Sequence, residues 1–334
     1  MSLVGGAGAP YHVAMLHIRL IVPDDLLTEV LEALESAPEV TNLWQVPHAA
    51  SKPPGALVSC DVAKEEGSYL LEKLRALGVD KRGSIAVESV DASVSRVARE
   101  AERAAAGLPV DAVVWEEVEG RVSESAVLSV SFLVFMTVAT MIAAIGIITD
   151  SIVPIIGAMV VGPEYGPLAG VCVALIEGRR HLAARSLRAL AVGFPLGIGT
   201  AALLTLLLLV VGVAPERLPG TEARELTLFI SQPNWYAVIV ALLAGVVGML
   251  ALVSAKSGAL IGVLISVTTI PAAANVGVAI TYQRWGEVRG AAGQLAINLA
   301  AIIVSGLVVL AFAERARRRR HDRHRSPLTD TSVT

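Results

Sequence analysis

Residues 150–169 read DSIVPIIGAMVVGPEYGPLA. The stretch begins as a long apolar run that is expected to cross a membrane, yet it contains three prolines, three glycines and an acid, Glu164, near its middle. Proline removes a backbone donor and clashes with the preceding helical turn, and a carboxylate at membrane depth is costly. A segment that only anchors a protein avoids these features. The stretch therefore predicts a broken membrane helix that lines a polar site.

The composition divides the chain into a soluble part and a membrane part. Of the 334 residues, 54% are hydrophobic and the mean hydropathy is +0.66, which is too apolar for a soluble globular protein of this length. Residues 1–124 have an ordinary soluble composition, whereas long apolar runs dominate residues 127–312. Runs of about 18 or more apolar residues are typical of transmembrane helices. The net charge of −3 indicates no nucleic-acid partner.

The soluble part, residues 15–92, has the pattern of a small α+β domain that follows a disordered extension at 1–14. Apolar periodicity predicts strands at 16–22, 40–46, 56–62 and 84–90, helices at 26–36 and 65–77, and a loop at 47–55. The order β-α-β-β-α-β is the ferredoxin-like split pattern. Such a domain is expected either to sense a small molecule or to serve assembly and docking.

The membrane part, residues 125–313, is expected to form six transmembrane helices after a helical connector at 93–124. The predicted spans are 126–148, 152–175, 189–213, 235–253, 258–281 and 291–313. A basic loop at 177–188 and a basic, disordered tail at 314–334 then lie on the same side as the N-terminal domain. Because basic loops remain cytoplasmic, both termini are expected in the cytoplasm and the protein in the inner or plasma membrane.

Two parts of the membrane domain resemble each other weakly. Ile156-Gly157-Ala158-Met159 follows the first span and a polar turn, and Ile261-Gly262-Val263-Leu264 follows the fourth span and another polar turn. Both sequences lie in spans that contain proline. Each unit has three spans, so the second unit enters the membrane from the opposite side. Inverted repeats with interrupted helices are typical of transporters, which predicts an all-α bundle built as a 3+3 inverted repeat.

The two interrupted spans supply the candidates for a substrate or ion path. These candidates are Gly162, Pro163, Glu164, Tyr165, Gly166, Thr268, Thr269, Pro271 and Asn275. Glu164 is expected to be a cation ligand or proton carrier, or else a structural carboxylate held by backbone amides at the break. For the threonines and Asn275 the alternative is hydrogen bonding between helices. Whether a metal binds stays open at this stage.

Four other polar residues are secondary candidates, namely Asp150, Lys256, Gln294 and Asn298. Asp150 and Lys256 lie in corresponding turns at the membrane edge, where helix capping and interfacial solvation are the alternative. Gln294 and Asn298 are one helical turn apart, so they share a face of the last span. That face is expected to point into the bundle.

The chain resembles a family of bacterial and archaeal membrane proteins with an uncharacterised hydrophobic domain (domain of unknown function number 389). The matching segments are Asp111-Ala112-Val113-Val114-Trp115-Glu116-Glu117, Gly146-Ile147-Ile148-Thr149-Asp150-Ser151 with Ile156-Gly157-Ala158-Met159, the pair Pro163 and Pro167, and Ser257-Gly258-Ala259-Leu260-Ile261-Gly262-Val263 with Pro271. The family commonly has Pro-Leu-Met-x-Pro where this chain has Pro163-Glu164-Tyr165-Gly166-Pro167. The resemblance implies the membrane architecture and names no substrate.

A membrane transporter or channel for a small solute or ion is the expected function, with the soluble domain regulating it or driving assembly as a homo-oligomer. The alternatives are a non-transporting sensor or scaffold and an intramembrane enzyme acting on lipid. No catalytic constellation is visible in the sequence, so an enzyme is not expected, and neither is a cofactor. The expected partners are the lipid bilayer and the transported solute or ion.

Overall fold

The computed structural model describes residues 15–90, 95–104, 115–218, 227, 230, 235–253 and 269–325. The chain divides into two compact units, one of residues 1–118 with 317–334 and one of residues 119–316. Several predictions lie outside the described residues: the extension at 1–14, Lys256, Thr268 and the first part of the predicted fifth span.

The N-terminal unit contains a four-stranded antiparallel sheet with helices between its strands. The strands are β1 (Met15–Val22), β2 (Val40–Ser51), β3 (Pro54–Ala63) and β4 (Ser84–Val90), and the helices are α1 (Leu27–Glu35), α2 (Gly67–Ala76), the short α3 (Val79–Arg82) and α4 (Arg96–Ala104). The strand order is β2-β3-β1-β4. The predicted β-α-β-β-α-β succession is therefore confirmed.

Alternate residues of β1 and β3 form the core of this unit. Leu16, Ile18 and Leu20 are buried on one face of β1 and pack with apolar residues of α1 and α2. The predicted loop at 47–55 is wrong, because β2 continues to Ser51 and a tight turn leads directly into β3. Two register shifts in the β2–β3 pairing accommodate the extra residues of β2, including the stretch around Pro47.

The second unit is a bundle of apolar helices. Its elements are α5 (Trp115–Ser125), α6 (Val130–Ile148), α7 (Ile152–Val161), α8 (Tyr165–Glu177), α9 (Arg180–Val210), α10 (Trp235–Val253), α11 (Thr269–Thr281) and α12 (Trp285–Arg325). Four helices, α6, α9, α10 and the apolar part of α12, are long and apolar enough to cross a membrane, and α7 with α8 makes a fifth candidate bent by 46°. The chain is a multi-pass membrane protein.

Two helices extend beyond their predicted ends. The predicted basic loop at 177–188 is wrong in its second part, because α9 begins at Arg180. The last helix, α12, begins at Trp285 and continues to Arg325, beyond the predicted span end at 313. Arginine, leucine and alanine are good helix formers, so basic residues that do not enter the apolar layer still extend an apolar helix. The described part of α11 has 13 residues and ends at Thr281.

The two short helices α8 and α11 are enclosed by the longer ones. All described residues from Pro167 to Ala174 of α8 and from Thr269 to Ala279 of α11 are buried. The longer helices instead expose large apolar side chains, such as Val134, Leu206 and Leu243. Interrupted backbone is tolerated in a membrane where protein covers it, and the enclosure of α8 satisfies that requirement.

One helix crossing in this unit recurs 105 positions along the chain (from 140 to 245). Thr140 of α6 packs on Gly197 of α9, and Gly245 of α10 packs on Ile302 of α12. Both pairs join a first helix to a third helix.

A second crossing recurs at the same spacing with its partners exchanged. Cys172 Sγ of α8 lies 3.6 Å from the carbonyl oxygen of Ile303 in α12. Gly277 of α11 packs against the carbonyl oxygen of Ile198 in α9. Gly277 follows Cys172, and Ile303 follows Ile198, by the same 105 positions. The first set of helices is α6 to α9 and the second set is α10 to α12. A contact from a short helix of the first set to the second set therefore has a counterpart from a short helix of the second set to the first.

Candidate functional site

The chain leaves helical geometry between α7 and α8 at Gly162 and Pro163. Gly162 has an extended ψ of 128° and ends α7, and Glu164 precedes α8. Because Pro163 and Pro167 have no backbone N–H, the carbonyl oxygens of Met159 and Pro163 lose the donor that a regular α-helix places four residues later. The predicted broken helix is thus present, with acceptor carbonyls on both sides of its acid.

Glu164 is buried at this break, with only 4% of its surface exposed. Thr269 of α11 donates a hydrogen bond from Oγ1 to Glu164 Oε1 over 2.5 Å. The other carboxylate oxygen, Oε2, has no hydrogen-bond partner among the described residues. The side chain makes no capping hydrogen bond to the first amides of α8. The side chain of Glu164 thus bonds to Thr269 and does not cap α8.

Gly162 fits tightly between the carboxylate and α11. A Cβ atom at position 162 would lie 2.7 Å from Ile270 Cγ1 and would also overlap Glu164 Oε2. Only a glycine allows the backbone of α7, the Glu164 side chain and the start of α11 to approach this closely. The second and fifth predicted spans therefore meet at Glu164, as the sequence argument expected of a site.

Tyr165 and Gly166 lie beside the acid but face other helices. The Tyr165 ring packs on Gly248 of α10, where a Cβ would lie 2.7 Å from Tyr165 Cζ. The buried Tyr165 hydroxyl has no hydrogen-bond partner among the residues that the structure describes. Gly166 packs on the Ser125 side chain. Gly166 thus allows α8 to approach α5 closely. Tyr165 follows Glu164 in the chain and has a buried hydroxyl.

The other candidates on α11 are buried within the bundle. Pro271 and Asn275 are both enclosed, and Asn275 Oδ1 has no hydrogen-bond partner within the described part of the chain. No contact joins Asn275 to Glu164 among the described ones. Thr269 is therefore the α11 residue that the structure brings to the acid.

The secondary candidates lie in separate places. Asp150, at a positive φ of 46°, accepts a hydrogen bond from Thr227 Oγ1 over 2.8 Å. Gln294 donates to Asn298 Oδ1 over 2.9 Å, and both are buried, so the predicted shared inward face is present. The structure does not bring Asp150 or this amide pair to Glu164 through any described hydrogen bond.

Among the described residues, no basic side chain is buried with Glu164 in the membrane unit. Within the described residues, the buried polar side chains of the membrane unit are hydroxyls, amides and this one carboxylate, with no lysine, arginine or histidine. No group of three or more metal-ligating His, Cys, Asp or Glu side chains occurs in the described ranges. A buried carboxylate without a cationic partner is energetically costly. The site therefore favours a positively charged occupant or a proton.

The two residues of this hydrogen bond, Glu164 and Thr269, lie in different sets of helices. Thr269 follows Glu164 by 105 positions, the same spacing that relates the two pairs of helix crossings. If the two sets of helices were exchanged by this spacing, Glu164 would take the position of Thr269 and Thr269 would take the position of Glu164. The hydrogen bond between these two side chains thus joins the two sets of helices.

A polar chain on the open face of the sheet was not predicted from the sequence. His17 Nδ1 lies 2.7 Å from Asp61 Oδ1, and its Nε2 lies 3.0 Å from Ser59 Oγ. The order Ser–His–Asp is that of a hydrolase triad. Ser59 is, however, only 1% exposed, so its hydroxyl does not reach a substrate. The chain of hydrogen bonds joins β1 to β3 and gives no support for catalysis.

A cavity of about 520 Å³ opens on the N-terminal unit between α2, α3 and the edge strand β4. Leu71 and Ile85 provide apolar walls, while Arg75 and Asp80 place opposite charges along its lining. Small-molecule sites combine an apolar lining with a few polar groups. Sequence periodicity gives no signal for this cavity, because it arises from the packing of a helix against a strand.

Comparisons with known proteins identify one family model and one distant relative. A family model described as Domain of unknown function (DUF389) matches residues 159–304, which confirms the family resemblance over that range. An uncharacterized protein of Methanocaldococcus jannaschii is 26% identical over 195 residues, a match that covers 58% of this chain and 58% of the relative. No solved structure matches the chain. The matched range contains both Glu164 and Thr269.

Proposed function

We propose that this chain, which belongs to the DUF389 family over residues 159–304, is a transporter or channel for a small solute or ion. Its site is the junction of α7, α8 and α11. One observation carries the proposal: the Glu164 carboxylate is buried at a helix break, with one oxygen bonded to Thr269 and the other without a partner among the described residues. Ionisable residues in such positions mark substrate or ion paths.

The hydrogen bonding of Glu164 favours a functional role over a structural one. Buried polar groups in native proteins are almost always satisfied, and a carboxylate kept for stability uses both oxygens and caps a nearby helix. Glu164 does neither. Replacing it with an apolar side chain of similar size would remove a costly buried group, so its presence in an apolar bundle needs a reason other than packing.

The repeated contacts support a 3+3 inverted repeat. The Thr140–Gly197 crossing has its counterpart in Gly245–Ile302. If each set crosses the membrane three times, the second set has the inverted orientation. Alternating access in such proteins arises from movement of one repeat relative to the other around a site between them, and the Glu164–Thr269 contact lies between them.

The remaining parts of the proposal concern topology and assembly. Both termini are proposed to be cytoplasmic, because the predicted positive-inside bias favours that orientation. The soluble unit is proposed to regulate transport or to drive homo-oligomer formation. The role is proposed to be non-enzymatic, since Asp150 and Glu164 bond to different residues, Thr227 and Thr269.

Flux through reconstituted protein tests the transport proposal. Purified full-length protein in proteoliposomes is challenged with a panel of salts and small neutral solutes, and the permeation rate is followed by light scattering. We expect one class of solute to enter faster than in empty liposomes, and Glu164→Gln to reduce that rate at least tenfold. Gly157→Ala is the matched control, because a Cβ at position 157 in α7 meets no atom within 4 Å. Equal rates in wild type, Glu164→Gln and empty liposomes would exclude transport.

A ligand sensor is the second candidate function, and the cavity of about 520 Å³ in the N-terminal unit favours it. Arg75 and Asp80 suit a zwitterion, and amino acids are the simplest probes of that class. The thermal unfolding of the full-length protein is measured with each amino acid in turn. A rise in Tm that disappears in Ser89→Phe, which fills the cavity, together with an absence of flux, would favour the sensor over the transporter.

A further inference from the structure

We propose that the Glu164–Thr269 site binds one alkali-metal ion in exchange for one proton on the Glu164 carboxylate. The inference rests on the proposed transport function and adds the class of substrate to it. Its basis is the set of oxygen atoms at the helix break and the absence of a buried base among the described side chains of the membrane unit.

Charge decides which occupants the site accepts. Glu164 is the one buried acid among the described side chains of the membrane unit, and none of the buried ones is basic. An ionised carboxylate without a counter-charge is unstable in such surroundings. The carboxylate is therefore occupied by a proton or by a cation, and an anionic solute is excluded by repulsion.

The available ligand atoms are all oxygens. The structure joins the Glu164 carboxylate and the Thr269 hydroxyl, and the same helix break contains the carbonyls of Met159 and Pro163, which the two prolines deprive of their helical donors. Hard cations prefer oxygen ligands, and unwound helix carbonyls coordinate Na⁺ in transporters with interrupted helices. The unpartnered Oε2 atom is a ligand position that the protein itself does not use in the described structure.

The number of acids favours a monovalent ion. Ca²⁺ takes six to eight oxygens, usually with several carboxylates, and Mg²⁺ binds through one or two carboxylates and several waters. The described residues contain no cluster of three metal-ligating side chains, and Glu164 is alone at the break. One carboxylate neutralises one charge of an alkali ion, which leaves the loaded site without net charge.

The exchange balances in both charge and atoms. The protonated carboxyl releases one proton to the aqueous side, and the carboxylate then holds one alkali ion. The site is neutral in both loaded forms, so both can move between the two sides of the membrane, whereas the empty charged form is too costly to do so. Because the hydrogen bond between Thr269 and Glu164 joins the two sets of helices, the site is shared by both sets.

Thermal unfolding of the wild-type protein tests the inference without any variant. Full-length protein in detergent is titrated with LiCl, NaCl or KCl at several pH values, against N-methyl-D-glucamine chloride at equal ionic strength. A ligand that binds the folded state raises Tm. Competition with one proton predicts that the half-maximal salt concentration falls by up to about tenfold per unit rise in pH. If no alkali salt raises Tm more than the organic salt, or if the effect is the same at every pH, the inference is wrong.

Proteoliposomes provide the second arm. A pH-sensitive dye is enclosed with the protein, and an inward gradient of the most effective alkali ion is imposed. We expect the lumen to become alkaline as protons leave, and Glu164→Gln to abolish this change while Gly157→Ala retains it. Solute flux that depends on Glu164 without any ion-driven pH change would overturn the exchange and leave the transport proposal standing. An absence of flux in every assay would instead remove the transport proposal.

Discussion

The hydroxyl of Thr269 donates a hydrogen bond to the carboxylate of Glu164, and the two residues stand 105 positions apart (from 164 to 269). The same spacing relates the Thr140–Gly197 and Gly245–Ile302 crossings. One side chain of the pair is an acid and the other a neutral donor. The two sets of helices therefore meet at a polar contact between an acid and a hydroxyl.

The Thr269 hydroxyl is expected to stabilise the folded membrane unit. Thr269→Val has nearly the same shape but leaves Glu164 Oε1 without its donor, which costs about 1–3 kcal/mol for a buried charged or polar acceptor. Thr269→Ser keeps the donor. Scanning fluorimetry of the detergent-solubilised variants is expected to show a clear loss of Tm for valine and a much smaller loss for serine. Equal Tm values for the two variants would show that the hydrogen bond contributes nothing to stability.

Glycine at position 162 is expected to be essential for the approach of α7 to α11. Gly162→Ala places a methyl group against Ile270 and the Glu164 carboxylate, and such overpacking costs typically about 1–3 kcal/mol. Gly157→Ala in the same helix meets open space, so it is expected to be neutral or slightly stabilising. The measurement is Tm together with the yield of monodisperse protein in size-exclusion chromatography. A Gly162→Ala protein as stable as Gly157→Ala would contradict the close packing at the break.

The break and its partner helix were predictable from residue types. Three prolines and an acid in an apolar run are incompatible with a continuous lipid-facing helix, and a second proline-bearing span marked where the partner would be. The sequence did not show that Thr269 donates to Glu164, because that contact depends on the rotational setting of α11. It also did not show that Glu164 lacks a helix-capping bond, since capping depends on the side-chain rotamer.

The contact between His17 and Asp61 could not be predicted from the sequence. His17 and Asp61 are brought together by the register of β1 with β3, and nothing in their local sequences encodes that register. The start of α9 at Arg180 was missed because hydropathy locates the apolar layer and not the helix end. Arginine and alanine are good helix formers, so a long helix extends beyond its apolar segment.

The Cys60 thiol is expected to be unreactive in the folded protein. It is buried between β1 and the helices, and burial raises the pKa of this thiol from 9.0 to about 12. Because the thiolate is the nucleophile, maleimide labelling at pH 8 is expected to be negligible until the protein is denatured. The Cys172→Ser variant isolates the signal from Cys60. Labelling of the native variant at the rate of a free thiol would show that the sheet core is open.

The same thiol predicts how the stability of the N-terminal unit changes in alkali. A group whose pKa is higher in the folded state stabilises that state below its unfolded pKa, and the contribution is lost as pH rises through the folded value. For Cys60 the window is therefore from about 9 to about 12. Cys60→Ala lacks this contribution, so its denaturation midpoint is expected to fall less steeply over that window. Parallel curves for the two proteins would contradict the assignment.

The equivalence of the two helix crossings can be tested by giving the Thr140–Gly197 crossing the residues of the Gly245–Ile302 crossing. Gly197→Ile alone places a side chain against Thr140, because even a Cβ at position 197 would lie 2.8 Å from Thr140 Cγ2. Such overpacking costs about 1–3 kcal/mol. Thr140→Gly with Gly197→Ile gives this crossing the residue types of Gly245 and Ile302, where Gly245 lies against the Ile302 backbone, and removes the Thr140 side chain. If the two crossings are equivalent, Gly197→Ile lowers Tm strongly in the wild type and much less in the Thr140→Gly background. Gly199→Ile on the same helix meets open space, so its effect is expected to be independent of residue 140. The same Tm loss from Gly197→Ile in both backgrounds would show that the shared spacing does not reflect a shared packing arrangement.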